Sequence, residues 1–189
     1  MLRLTGGEFN GRPISTPKDL KTRPSQAKLR QALFNSLQFQ IPGARILDLF
    51  AGSGALGFEA LSRGAAHVTF VETSRAALKC LEENIRTLGV ADRARVISEP
   101  VERTVKSLGN GEGGAFDIVL ADPPYAEGWE LKLLQQSPWN ELLATEGVFC
   151  LEWSAVKSKF DELPEQLPFL VKVREKNYGD SILSTFKRD

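Results

Sequence analysis

From Ala44 onward the chain alternates short apolar runs with helical patterns, and this alternation narrows the possible folds more than any other feature. "ARILDLF" reads as a strand, Ala55 to Arg63 as a helix stopped by Gly64, "HVTFVE" as a strand, and Arg75 to Leu88 as a helix stopped by Gly89. "ARVIS", "FDIVLAD" and "GVFCLEW" continue the strands. Val101 to Leu108 and Trp129 to Leu143, interrupted at Pro138, continue the helices. The closing stretch "FLVKVREKNYGDSILSTFKR" is a hairpin that turns near Gly179 and Asp180. Repeated βαβ units build a largely parallel sheet with helices on its faces. The expectation is a Rossmann-like α/β domain with a mostly parallel, seven-stranded sheet and a C-terminal antiparallel hairpin. Such sheets bind ligands at the carboxyl ends of their strands, where the strand order reverses.

Ahead of this pattern lies a different kind of segment. "MLRLTGGEFNGRPIST" suggests two short strands around Gly-rich turns. "RPSQAKLRQALFNSLQF" suggests a helix capped by Ser25, with Leu29, Leu33, Phe34 and Leu37 on one apolar face, before Pro42-Gly43 breaks the chain. Residues 1–42 are therefore expected to form a small hairpin-plus-helix extension, and 43–189 the main domain. The charge follows the same division. Residues 1–30 hold seven Lys and Arg against two acids, in a chain with 24 of each sign. A basic arm on an acidic body suits the docking of a polyanion.

The chain has no apolar run near the ~20 residues of a membrane span, and its first residues lack a signal-peptide core. A soluble, cytoplasmic protein with no membrane partner is expected. Cys80 and Cys150 stand alone without metal-ligand spacing, so neither a disulfide nor a metal site is expected. His67, the only histidine, reads as structural.

Two strand ends carry chemistry. In "LDLFAGSGALGFEA", Gly52-x-Gly54-x-x-Gly57 precedes Glu72 by the spacing of a dinucleotide fingerprint. An NAD-dependent dehydrogenase is a competing reading. It is disfavoured because Asp48-Leu49-Phe50-Ala51 separates the strand from the first glycine. The Asp48 carboxylate would also repel a pyrophosphate while attracting an ammonium group. S-adenosylmethionine has an ammonium, a sulfonium and a ribose diol that Glu72 could accept bidentately. The glycines allow its close approach. The second strand end is Asp122-Pro123-Pro124-Tyr125. Prolines stop the strand and stiffen the turn, leaving a carboxylate, carbonyls and one ring.

"DLFAGSG" followed by "VE" at the next strand end resembles the class I S-adenosylmethionine-dependent methyltransferases. "DPPY" resembles the motif of those members that modify an amino group on a planar system. The resemblance implies that Asp48, Phe50, Ala51, Gly52, Ser53, Gly54, Glu72, Thr73 and Asp122 surround the cofactor. Glu99 or Ser98 would accept the adenine amine, although "SEPV" departs from the usual Asp or Asn there. Asp122 and the Pro123 carbonyl would hold the hydrogens of a poorly nucleophilic exocyclic amine, which is electrostatic preorganisation rather than strong base catalysis. Pro124 would keep the turn stiff, and Tyr125 would stack on an extruded base. An aspartate rather than an asparagine at 122 points to a nucleobase rather than a protein glutamine.

Together "RLTGGEFNGRPI", "TRPSQAKLRQALFNSL", "LDLFAGSGALGFEALSRGA" and "DPPY" resemble, in order and spacing, the bacterial RsmD family of 16S rRNA guanine-N2 methyltransferases. That resemblance implies methylation of one guanine, guanine 966, of 16S rRNA in an assembled or partly assembled small subunit, by a monomer using no metal. Arg3, Arg12, Arg23, Lys28 and Arg30 would contact phosphates and position RNA without reading sequence. The alternatives are a DNA adenine-N6 methyltransferase with the same motif, and a non-catalytic RNA-binding assembly factor.

Overall fold

The computed structural model describes residues 2–17, 24–112, 115–125 and 127–189. Its centre is a sheet built from β3 (Arg45–Leu49), β4 (His67–Val71), β5 (Ala94–Ile97), β6 (Phe116–Ala121), β7 (Leu143–Trp153), β8 (Gln166–Leu167), β9 (Leu170–Tyr178) and β10 (Ser181–Arg188). The strand order is β5-β4-β3-β6-β7-β10-β9-β8. The first five strands are parallel, while β10, β9 and β8 each run antiparallel to their neighbour. The sheet therefore has eight strands rather than seven. The extra one, β8, is two residues long and too short to show any period.

Alternate strand residues feed two cores, one on each face. Ile46, Val68, Phe70, Ile118 and Leu120 pack under α2 (Ala55–Ser62), α3 (Arg75–Leu88) and α1 (Pro24–Ser36). Leu47, Leu49, Val119, Ala121 and Phe149 face α4 (Val101–Ser107), α5 (Trp129–Gln136) and α6 (Trp139–Leu142). Burying each large side chain contributes on the order of 1.5–3 kcal/mol. Ser74 caps α3 through its side chain, and Gly89 closes it in the left-handed region, so both ends of this helix fall where the sequence signals lie. By contrast α1 begins at Pro24, so Ser25 lies inside the first turn and is not the cap. Proline suits a first helical position because its missing N–H would be unpaired there anyway.

The N-terminal extension, with β1 (Leu2–Arg3) paired to β2 (Pro13–Ile14), has no core of its own. Leu4, Phe9, Ile14, Leu33, Phe34 and Leu37 belong to the same cluster as Phe58 and Phe70. Thr5 donates from its N–H (2.9 Å) and hydroxyl (2.8 Å) to Glu59 of α2, and the Phe9 N–H donates to Ser62 Oγ at 2.8 Å. Polar ties across a shared apolar seam hold the extension in one orientation.

Candidate active site

β3 has β4 on one side and β6 on the other, so the strand order reverses beside it and a crevice opens at the carboxyl ends. Leaving β3, the chain turns sharply. Phe50 (φ 58°), Gly52 (φ 55°) and Gly54 (φ 85°) all lie in the left-handed region. At Gly54 a Cβ would come within 2.4 Å of Phe58 Cε2 and 2.6 Å of Leu81 Cδ1, so helix and loop can approach only because the side chain is absent. At Gly52 a Cβ would meet nothing within 4 Å, leaving open space for a ligand. The Ala51 N–H donates to Val71 O (2.9 Å), and both Ala51 and Ser53 are buried, so these two frame the loop rather than line the crevice.

Glu72, just past β4, is held by three backbone amides. Its Oε2 accepts from Gly52 (2.7 Å), and its Oε1 accepts from Thr73 and Ser74 (2.7 Å each). A carboxylate offers about four lone-pair directions. One remains free, so a ribose diol would have to share an oxygen rather than take both outright.

Across from Glu72 stands the turn after β6. Phe50, Glu72 and Thr73 on one side, Asp122, Pro123, Pro124 and Tyr125 on the other, and Glu127 and Trp129 at the end enclose a cleft of about 520 Å³. Trp129 meets Phe50 edge-on (centroids 4.8 Å, 71°) and donates its Nε1–H to Glu127 at 3.0 Å. Those two wall residues, Glu127 and Trp129, carry no motif and were not singled out from sequence. An aromatic four residues beyond Tyr125 was the available signal.

Behind the turn lies a group of buried carboxyls. Glu152, near the end of β7, is 6% exposed; its Oε1 accepts from the Tyr125 hydroxyl at 3.2 Å, and that hydroxyl also meets Ser181 Oγ at 3.4 Å. Burial raises the pKa of Asp122 well above the usual carboxylate range, and the charges of Glu152 and Asp48 raise it further. Glu152 is likewise raised by burial, against the pull of its bonds to Ser181 and Tyr125. Burial carries the Tyr125 phenol up to about 12. Glu152 lies on a different strand from the motif, and only the tertiary fold joins it to Tyr125. Lys157 Nζ stands 4.6 Å from the Tyr125 ring centroid, so one face of the ring already carries a cation.

Three expected site residues are engaged by protein partners. Asp48 is 1% exposed; its Oδ2 accepts the Gly57 N–H (2.9 Å), so it secures the start of α2. Burial lifts its pKa to about 7, with Glu72 adding to the rise and the Gly57 bond opposing it. Glu99, just past β5, is paired with Arg103 at 3.5 Å on the surface. Arg30 is not a phosphate contact. It is 5% exposed, pairs with Glu59 at 3.7 Å, and donates to Arg3 O at 3.0 Å; burial lowers its pKa, against the pull of Glu59.

Of the other basic residues in the extension, Arg3, Arg12 and Lys28 are exposed. Arg3 and Arg12 spend one N–H each on Gly11 O and Thr87 O (2.8 Å each). Arg23 lies outside the described residues. Among the described residues no three His, Cys, Asp or Glu side chains are grouped to hold a metal ion, and no helix is long and apolar enough to cross a membrane. His67 opens β4, at the end of the sheet remote from the cleft.

Comparison with known proteins agrees with this geometry. Residues 2–187 match the family described as conserved hypothetical protein 95. The chain is 33% identical to the Bacillus subtilis protein YlbH over 187 residues, 99% of each. It is 37% identical to ribosomal RNA small subunit methyltransferase D of Escherichia coli strain K12 over 166 residues, 86% of this chain and 79% of the other. The solved structure of yhhF from Escherichia coli superposes with a TM-score of 0.84 at 33% identity, covering 100% of this chain and 98% of that one.

Proposed function

The chain belongs to the RsmD family of class I S-adenosylmethionine-dependent methyltransferases, which methylate small-subunit rRNA, and we propose that its target is the exocyclic N2 amine of one guanine, guanine 966 of 16S rRNA. The observation that carries this reading is the shared cleft. Glu72, Asp122 and Tyr125 border one space of about 520 Å³, large enough for a cofactor end and a planar base together.

The residues fit S-adenosylmethionine. Glu72 supplies an acceptor for a ribose hydroxyl, Gly52 leaves open space beside the loop, and Phe50 with Trp129 offers an apolar wall. When bound, the cofactor supplies a methyl group on a positively charged sulfur. The protein has to present the amine to it in line and handle its hydrogens. Guanine N2 is a weak nucleophile because its lone pair is delocalised into the ring. The Asp122 carboxylate and the Pro123 carbonyl accept its two hydrogens and favour the pyramidal geometry of the reacting nitrogen. Asp122 acts in its ionised form, accepting these hydrogens and, once the N–CH3 bond has formed, the proton the nitrogen loses; its pKa, raised by burial, sets how much of that form is present. Tyr125, fixed by Glu152 and Ser181, stacks on the base through the face opposite Lys157. Arg3, Arg12, Lys28 and Arg23 in the 1–42 extension contact phosphates, and the assembled or partly assembled subunit presents the loop that the monomer reads.

Methyl transfer to small subunits lacking the modification, to naked 16S rRNA and to duplex DNA, followed by nucleoside analysis, tests this. N2-methylguanosine in the subunits is expected; N6-methyladenosine in the DNA would replace the reading. Asp122→Ala should lower kcat by roughly 10²-fold, with cofactor affinity kept. Tyr125→Phe should retain most of kcat, whereas Tyr125→Ala loses a stacking contribution of ~1–3 kcal/mol.

A further inference from the structure

Asn84 sits in the middle of α3, 3% exposed, and its side chain bonds to nothing in its own helix. Its Oδ1 accepts the Ser15 N–H at 2.7 Å, and its Nδ2 donates to Ser15 O (2.9 Å) and Ser53 O (3.0 Å). These partners fix the amide's orientation, because turning it over would set oxygen against two carbonyls and NH₂ against an N–H. Ser15 follows β2 in the N-terminal extension. Ser53 belongs to the glycine loop of the cleft.

The second bond matters for the loop. With its carbonyl on Asn84 and its N–H on Ala51 O (2.8 Å), the Ser53–Gly54 peptide is pinned at both ends. Its plane sets the turn that carries Gly52, whose N–H in turn holds Glu72 at 2.7 Å. The extension grips α3 again one turn further on, where Arg12 donates to Thr87 O at 2.8 Å. A continuous series of hydrogen bonds thus runs from the extension through one buried amide to the cofactor loop.

We propose that Asn84 is a positioning residue that keys the glycine loop to the N-terminal extension, so that RNA held by the extension and S-adenosylmethionine held by the loop strengthen each other's binding. The inference rests on the assignment of the cleft and extension made above. Binding linkage is reciprocal, so the S-adenosylmethionine Kd measured with and without bound 16S rRNA reports it: RNA should lower the wild-type Kd and not that of Asn84→Ala, and an equal lowering in both overturns the coupling.

The test uses full-length Asn84→Ala, Asn84→Asp and Ser15→Pro, the last removing the N–H that Oδ1 accepts. Calorimetry with S-adenosylmethionine should show Kd raised roughly tenfold in Asn84→Ala, about the worth of one net hydrogen bond. Asn84→Asp, which sets a carboxylate against two carbonyls, should raise it further. KM for the cofactor should rise with Kd while kcat at saturation stays near wild type. Ser15→Pro should weaken cofactor binding a few-fold in the wild-type background and no further in Asn84→Ala, the non-additivity expected of one network.

A merely structural amide would lower Tm and leave cofactor Kd within twofold, and that result overturns the proposal. So does an equal effect of Ser15→Pro in both backgrounds. Should Asn84→Ala not fold, Ser15→Pro alone decides, an unchanged Kd counting against it. Failure of the cleft assignment would look different: Glu72→Ala would then bind the cofactor as tightly as wild type.

Discussion

Replacing Glu72 by glutamine, the closest isostere, should weaken cofactor binding nearly as much as alanine does. Both carboxylate oxygens are committed, Oε2 to the Gly52 N–H and Oε1 to the Thr73 and Ser74 N–H groups, all at 2.7 Å. A glutamine can satisfy one side only. With its oxygen toward Thr73 and Ser74 its NH₂ faces the partly buried Gly52 N–H, donor against donor. The reverse orientation loses two bonds instead of one. Each hydrogen bond to a charged group is worth roughly 1.5–3 kcal/mol. The cheaper orientation thus releases Gly52 at that cost and displaces the loop that shapes the cleft. Alanine loses all three bonds, but Thr73 and Ser74 are exposed and their amides can rehydrate. Both variants should raise the Kd for S-adenosylmethionine by roughly 10–150-fold, the equivalent of ~1.5–3 kcal/mol. Titration calorimetry measures this, with ligand-free thermal unfolding run alongside to separate affinity from stability. Glutamine binding within twofold of wild type would show that the amides do not fix this carboxylate, and the reasoning would fall.

Two further outcomes follow from the buried charges. Asp48, with a folded pKa of about 7 against an ordinary 3.8, binds its proton more tightly folded than unfolded. Its contribution to stability is therefore full below pH 3.8 and lost as pH rises through about 7, an effect of at most about 4 kcal/mol. Asp48→Asn keeps an oxygen for Gly57 and should be more stable than wild type at pH 8 by ~1–3 kcal/mol, the advantage vanishing below pH 4; denaturant unfolding across that range checks it. Arg30→Ala should cost roughly 1–2 kcal/mol, a fall in Tm of ~2–8 °C, because it removes a buried side chain and its bond to Arg3 O while Glu59 keeps Arg63 and Thr5. Lys28→Glu should leave Tm unchanged and weaken rRNA binding with a flatter salt dependence, which filter binding at several salt concentrations reads.

The fold was legible wherever the signal is local. Helix α3 starts and stops where Ser74 and Gly89 say it should, because caps act within one turn. Strand β7 begins at Leu143, ahead of the "GVFCLEW" run, because Glu146 takes a left-handed φ of 66° and the strand continues through an irregular pairing that no hydrophobic period reports. The cleft was legible at its glycines, at Glu72 and at "DPPY", where short motifs meet strand ends. What could not be read was anything that depends on a distant partner. Arg30 looks like its exposed neighbour Lys28 until Glu59 of α2 is brought against it. Asp48 looks like a free carboxylate until Gly57 engages its Oδ2. Glu152 has no motif and acquires its place only when β7 comes to lie beside β6.

One feature of the sheet bears on how the protein is made. Strand β10 lies between β7 and β9, although it is the last strand in chain order. A chain synthesised from its N-terminus can fold the extension, the glycine loop and β3 to β7 first, and until β10 arrives β7 presents an unpaired, largely apolar edge. Such an edge invites pairing with another chain, so nascent or stalled molecules are the aggregation-prone species and the ones a chaperone would hold. The same insertion delivers Ser181 to the Tyr125 hydroxyl. Ordering of the Tyr125 side of the cleft is thereby tied to the latest and most non-local step of folding. A molecule with a mispaired β10 would keep its glycine loop and lose the Ser181 contact to Tyr125.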